Sequence, residues 1–227
     1  MLIETKWTIV DRSKIHLFSM NTPNGIKAAV ALEELGFAYE PHLVNITKGE
    51  QKSDAFLSIS PNGKIPAIVD FQVSGAEPLT LMESGAILIY LAEKAGRLIP
   101  HHLTQRLHCL QWLFFQVGHV GPFFGQFGHF YKYARDKVKE PYPLEHFTEE
   151  AKRLLSVLDR QLAGREYLVD DYSIADIATF PWVNALIEHY EASDVLGLPR
   201  FGNVTAWLER CNARPAARKG KLVNSPH

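Results

Sequence analysis

The sequence changes its grammar near residue 100, and that change limits the available folds more than any compositional figure. Before it, short apolar runs alternate with segments of helical spacing. After "GRLIPHHLTQ" the segments are long and helical in pattern, and none reads as a convincing strand. "IHLFSM" (15–20) predicts a strand. Ala28, Ala31, Leu32 and Leu35 then recur at helical spacing with Gly36 as a natural stop, which predicts a helix over 23–35. An extended piece over 39–46, a short helix near 53–59, strands at "AIVD" and "PLTLM", and a helix from Glu83 and Ser84 to Gly96 complete the order β-α-β-α-β-β-α. A parallel first pair joined by a crossover helix, followed by a hairpin, describes a small mixed sheet with helices on its faces. The expected class is therefore α/β plus all-α. Residues 1–13 read as an extension, 14–97 as the first domain, 104–220 as the second and 221–227 as a tail.

In the helical half, Ser173 stands three residues before Asp176, a spacing that lets hydroxyl and carboxylate each satisfy an orphan amide at a helix start. Its role is in folding. Residues 114–133 hold six Phe and two Tyr interrupted by four Gly. Each Gly costs about 1 kcal/mol against Ala inside a helix, so this segment should be broken, kinked or closely packed. Its aromatics suit a core or interface first, and an apolar substrate pocket second.

Composition excludes several function classes. With 24 basic against 25 acidic residues, no overall field points to nucleic acid or a membrane surface. Partners should be small molecules or protein. The longest apolar run, 86–92, is too short to span a bilayer, and residues 1–14 lack the apolar core of a secretory signal. The two cysteines, Cys109 and Cys211, have no metal-type spacing, no HExxH occurs, and His101-His102 falls in the expected linker, so no metal is expected. A reducing cytoplasm fits best, and the sequons at Asn45 and Asn203 then count as chance matches. Walker and dinucleotide fingerprints are absent.

Chemistry is expected where the first strand hands over to the first helix, at "NTPNG" (21–25). Thr22 suits the N-cap and Pro23 the first helical position, while Asn24 lies in the first turn. The positive end of that helix attracts an anion such as a thiolate, and Thr22 and Asn24 could donate hydrogen bonds to it. No cysteine lies at the turn, so the thiol would come from a ligand. By themselves these residues equally describe a well-capped helix. "SPNGKIPAIVD" adds Ile65-Pro66 just before a strand, a place suited to a cis bond that would present the Ile65 backbone to a peptide. "MESGAI" adds Glu83 and Ser84 at a second helix start, where a carboxylate and a positive helix end could hold an amino acid's ammonium and carboxylate.

Taken together, "TPNG", "KGEQ", "SPNGKIPAIVD", "ESGAILIYLAEK" and "SIADIATFPWVNA" resemble a glutathione transferase over about residues 14–218. The likeness is narrower to the nu-class, glutathione-dependent disulfide-bond oxidoreductases and the related yeast nitrogen-regulator domain. It implies a thioredoxin-like N-terminal domain, an all-helical C-terminal domain, a homodimer, and glutathione as co-substrate held mainly by the first domain. Carried over by position, the resemblance puts Asn24 at the glutathione sulfur with Thr22 beside it. Gln51 and Lys64 would meet the glycine end, Ile65 the cysteinyl backbone, and Glu83 with Ser84 the γ-glutamyl group. One departure stands out: after "PYPLE" the family pattern has Arg and an aromatic, whereas this chain has His146 and Phe147. His146 is thus a possible second-domain contact, as a weaker and pH-dependent donor. The implied reaction is attack of bound glutathione thiolate on a disulfide. Conjugation to organic electrophiles, peroxide reduction, and a glutathione-binding regulatory module with little activity are the alternatives.

Overall fold

The computed structural model describes residues 2–75 and 77–225, which group into two compact units. In the first, β1 (Ile15–Ser19) leads through α1 (Pro23–Leu35) to β2 (Tyr39–Leu43). A short α2 (Asp54–Leu57) precedes β3 (Ala67–Asp70), and β4 (Leu79–Met82) runs into α3 (Ser84–Ala95). Thr22 caps α1 at its start, and Gly36 (φ 72°) ends it in the left-handed conformation that glycine adopts without a Cβ clash. The strands lie in the order β2-β1-β3-β4, with β1 parallel to β2 and β3 antiparallel to both its neighbours. This is a thioredoxin-like sheet, and the element order is the one the periodicities predict.

Every residue of β1 is buried, so both sheet faces are covered. Phe18, Ala67 and Val69 share one face with Val44, Phe56 and Ile59. Ile3 and Trp7 belong to the same core, and Trp7 meets Phe18 edge-on at 5.7 Å and donates its indole N–H to the Leu43 carbonyl at 3.0 Å. Sequence patterning sets residues 1–13 apart as an extension; in the structure Ile3 and Trp7, with Ile9 packed against them, complete this layer. The alternate residues Leu17 and Ile68 are left to the opposite face, covered by α1 and α3.

The second unit comprises α4 (Leu103–Phe115), α5 (Gly121–Gly128), α6 (Tyr142–Gln161), α7 (Ile174–Asn184), α8 (Ser193–Leu196) and α9 (Gly202–Ala213). It is all-helical among the described residues. The glycine-rich segment is accommodated rather than broken: α5 is flanked by wider π-helical turns at Gln116–Val120 and His129–Tyr133. Its glycines permit close approach, since a Cβ on Gly128 would lie 2.1 Å from the ring of Tyr190. Phe124 and Phe127 are fully buried while Phe114 is exposed, so the aromatic stripe is only partly core.

The last helix, α10 (Pro215–Gly220), belongs to the first unit, although helical patterning alone runs it on with the second. Two observations explain this. A Cβ on Gly220 would meet Val30 at 2.6 Å, so α10 lies directly on α1, and Arg214 forms a two-pronged pair with Glu34 at 2.6 and 2.9 Å.

Asp176 organises the second unit. Its Oδ1 accepts from the Leu168 amide (3.0 Å) and the Trp207 indole (2.8 Å), and its Oδ2 from the Ser173 amide (3.0 Å). Ser173 in turn accepts from the Ala175 amide, so the capping box read from the sequence is present. Burial dominates its acidity, raising the carboxyl to about 6 against the pull of these donors. No helix among the described residues is long and apolar enough to cross a membrane. Asp176→Ala leaves three buried N–H donors unpaired and is expected to lower the unfolding free energy by about 3 kcal/mol or more. Urea denaturation followed by tryptophan fluorescence checks this, with Asp176→Asn retaining part of the loss.

Candidate functional site

Strand register brings the scattered motifs together. Phe18 pairs with Ala67 and Ala67 with Met82, both across antiparallel ladders. The end of β1, the start of β3 and the end of β4 therefore lie at one end of the sheet. Parallel pairing of Ser19 with Leu43, and the Val44 amide donating to the Ser19 carbonyl at 2.9 Å, bring the end of β2 there too. From these four strand ends issue 20–25, 44–53, 60–66 and 83–85, the segments that contain Thr22, Asn24, Gln51, Lys64, Ile65, Glu83 and Ser84.

At the first segment, Thr22 is extended (φ −126°, ψ 163°) and its Oγ1 accepts from the Gly25 amide at 3.3 Å, while its carbonyl accepts from the Ile26 amide at 2.9 Å. Pro23 has no N–H, so much of the first-turn donor set is already used by Thr22. What the cap leaves is the hydroxyl hydrogen of Thr22, which has no acceptor among the described residues, on the positive end of a 13-residue helix whose first turn also carries half-buried Asn24. Gly25 explains why the turn is built from "NG". A Cβ there would fall 2.0 Å from the Met20 carbonyl oxygen and 2.4 Å from Ser19 Oγ, so α1 is seated directly on the end of β1.

The Ile65–Pro66 bond is cis, as its position before β3 suggested. Ile65 is half-buried, and no hydrogen bond engages its N–H or C=O among the described residues. Lys64 is exposed. Gln51 lies in a short 3-10 turn, Glu50–Lys52, and its Oε1 is buried without a hydrogen-bond partner, an acceptor awaiting a donor.

Glu83 and Ser84 open α3 as read from the sequence, but with a feature the sequence did not signal: Glu83 has φ 67°, ψ 114°. A positive φ at a non-glycine residue is uncommon and concentrates at functional sites. Beneath it, Lys27 of α1, 2% exposed, donates from Nζ to Ser84 Oγ at 3.3 Å. The helical spacing of Ala28, Ala31, Leu32 and Leu35 gives Lys27 no assigned place. Its burial follows from α1 packing against α3 and could have been suspected only from a lysine lying between apolar neighbours. Burial pushes this ammonium down to about 7, partly opposed by the Glu83 carboxylate.

His146 lies exposed on α6 of the second unit, its ring stacked on Tyr142 at 5.9 Å and edge-on to Phe147 at 5.1 Å.

Residues 13–93 match the family model of the glutathione S-transferase N-terminal domain, and 112–215 that of the glutathione S-transferase C-terminal domain. The chain belongs to the glutathione S-transferase family. Within it the chain is nu-class-like: it is 44% identical over 210 residues to the disulfide-bond oxidoreductase YfcG of Escherichia coli, covering 92% of this chain and 94% of that one. Among solved structures, a glutathione transferase of Pseudomonas putida with one glutathione disulfide bound per subunit superposes with a TM-score of 0.95 at 46% identity, covering 97% and 96% of the two chains. A family member from Pseudomonas fluorescens with two glutathione bound gives 0.96 at 46%, covering 98% and 99%.

The Lys27 amine gives a signed pH expectation. The unfolded chain holds this proton up to the ordinary lysine value of 10.5 and the folded chain only to about 7. Its unfavourable contribution is therefore at full strength below about pH 7 and is relieved as pH rises toward 10.5. Stability of the wild type should climb between about pH 7 and about pH 9, and Lys27→Met should flatten that climb in parallel urea titrations.

Proposed function

We propose that this protein is a glutathione-dependent disulfide-bond reductase, in which a glutathione thiolate held at the start of α1 attacks the disulfide of a second molecule. What carries the reading is the register: four strand ends deliver the side chains and backbone groups suited to a γ-glutamyl-cysteinyl-glycine tripeptide to one end of one sheet. Thr22 and Asn24 donate to the sulfur, so that the anion is stabilised by two side-chain donors and the α1 dipole. Ile65 pairs its N–H and C=O with the cysteinyl backbone as an added strand would. Gln51 and Lys64 hold the glycine end, the buried Gln51 Oε1 gaining the donor it lacks. Glu83 takes the γ-glutamyl ammonium, and Ser84 with the positive end of α3 takes its carboxylate, with Lys27 behind Ser84 adding positive charge.

In the reaction the sulfur anion of glutathione attacks one sulfur of RS–SR′, forming GS–SR as R′S⁻ leaves. A second glutathione thiolate then attacks the mixed disulfide, giving GS–SG and RS⁻. No protein cysteine takes part. Cys109 and Cys211 are buried in the second unit, and burial raises the Cys109 thiol above its ordinary value, which disfavours the thiolate. The relatives' names and ligands support this course: YfcG is named a disulfide-bond oxidoreductase, and the Pseudomonas structures hold glutathione disulfide or two glutathione. His146, exposed on α6, is proposed as a hydrogen-bond donor to substrate. The reading extends to a homodimer, as the family likeness implies, in the reducing cytosol that the two buried cysteine thiols suit.

Asn24→Ala is expected to lower turnover of a small disulfide by more than about tenfold with little change in glutathione affinity, because its hydrogen bond acts on the reacting sulfur. Ser84→Ala should do the reverse, weakening glutathione binding by roughly fivefold to tenfold while leaving turnover at saturation close to wild type. Steady-state kinetics with calorimetric titration of glutathione separates the two, and an aromatic halide assayed in parallel reports conjugating activity. Unchanged turnover in Asn24→Ala, or glutathione uptake too weak to detect, overturns the assignment.

A further inference from the structure

The sequence offers no metal-ligand spacing, but strand pairing creates one. β2 is the edge strand, parallel to β1, with Glu40 opposite His16 and His42 opposite Phe18. Side chains two apart on a strand share a face, so His16, Glu40 and His42 converge there. They are the one group of its kind among the described residues, with ligand atoms all within 4.8 Å of one another.

We propose that His16, Glu40 and His42 form a binding site for one divalent transition-metal ion of the zinc type, separate from the glutathione site. Four observations carry it. First, His16 Nδ1 and His42 Nε2 are 2.9 Å apart, within the range of about 2.9–3.3 Å expected for two ligand atoms sharing an ion at roughly 2.0–2.1 Å. The Glu40 oxygens stand 3.9 Å from the first nitrogen and 4.0 Å from the second, and this side chain, a quarter exposed, has room to close the remainder. Second, His16 Nε2 donates to the Asp11 carbonyl at 3.0 Å. That bond assigns the ring proton to Nε2 and leaves a lone pair on Nδ1 aimed at the cluster, the outer-shell arrangement that metal-bound histidines use. Third, the rings are held by packing. His42 stacks on Phe18 at 4.5 Å and on His16 at 5.2 Å, and Phe71 stands edge-on to His16 at 5.7 Å. Fourth, among the described residues no lysine or arginine pairs with the Glu40 carboxylate, which faces two imidazoles and lacks a cation.

When an ion enters, the His42 proton that bridges to His16 moves to Nδ1 of the same ring, and both facing nitrogens become ligands. Two neutral imidazoles and a carboxylate suit zinc, cobalt(II) or nickel(II) better than magnesium or calcium, and leave a coordination position for water on the side where Glu40 is exposed. The ion would clip the edge strand β2 to β1 and has no part in the sulfur chemistry.

The test uses full-length protein stripped with a chelator and free of glutathione, which itself binds zinc. Zn²⁺ is titrated calorimetrically, and Co²⁺ by its visible absorption. One ion per chain is expected, with affinity reduced at least about tenfold in both His42→Gln and Glu40→Gln. Glu40→Gln is a substitution at a quarter-exposed side chain that should fold even if a ring substitution does not, and circular dichroism checks this. Absence of saturable uptake by the wild type, or uptake undiminished in folded Glu40→Gln, overturns the proposal. The first result would mean that the cluster is only a hydrogen-bonded pair beside a carboxylate, the second that other histidines bind the ion.

Discussion

The antiparallel seating of β3 between β1 and β4 is the constraint on which the site depends. Phe18, Ala67 and Met82 are linked through consecutive ladders, and a slip of one residue would turn each strand's buried set toward the wrong face. Because β1 is buried on both sides, with Phe18 in one core layer and Leu17 in the other, such a slip would expose apolar surface everywhere at once. The register is therefore fixed by burial. As a by-product it fixes where the loops after β1, β2 and β4 and before β3 meet.

Upon that frame the two helix starts act differently. At α1 the Thr22 cap takes up the Gly25 amide, so that in the proposed reading Thr22 and Asn24 meet the ligand through their side chains, while Gly25 allows the helix to sit against the Met20 carbonyl. At α3 the start is held in an uncommon conformation at Glu83 and is backed by a buried lysine. A solvated ammonium in the same place would be screened by water. Lys27, removed from water, makes that end of the sheet more attractive to a carboxylate while it is protonated, at a cost to the stability of the ligand-free fold. This is the ordinary exchange by which binding sites draw on the stability of the rest of the molecule.

The second unit is stabilised by a different device. Ser173 and Asp176 begin as a helix cap, but the carboxylate also reaches Leu168 and the Trp207 indole, so one local signal joins three stretches of the chain. The glycines of 114–133 serve packing, not breakage: they let a helix with two π-helical turns lie against Trp182 and Tyr190.

Much of this was legible in the amino-acid sequence, and the division between what was and what was not is physical. Helix and strand periods, the Thr22 and Ser173 caps, the glycine stops at Gly36 and Gly96 and the Ile65–Pro66 junction are local signals, set by backbone sterics and hydrogen bonds within a few residues. Those signals determined the element order and, through the resemblance they carry, the family and the residues expected to meet glutathione. Only the tertiary structure decided that Ile3 and Trp7 enter the core, that α10 returns to α1, that Lys27 is buried against Ser84, and that His16, Glu40 and His42 share a face. Each of these depends on which distant segments lie side by side, and no short-range rule records that choice, because the burial that drives it is summed over the whole packed layer.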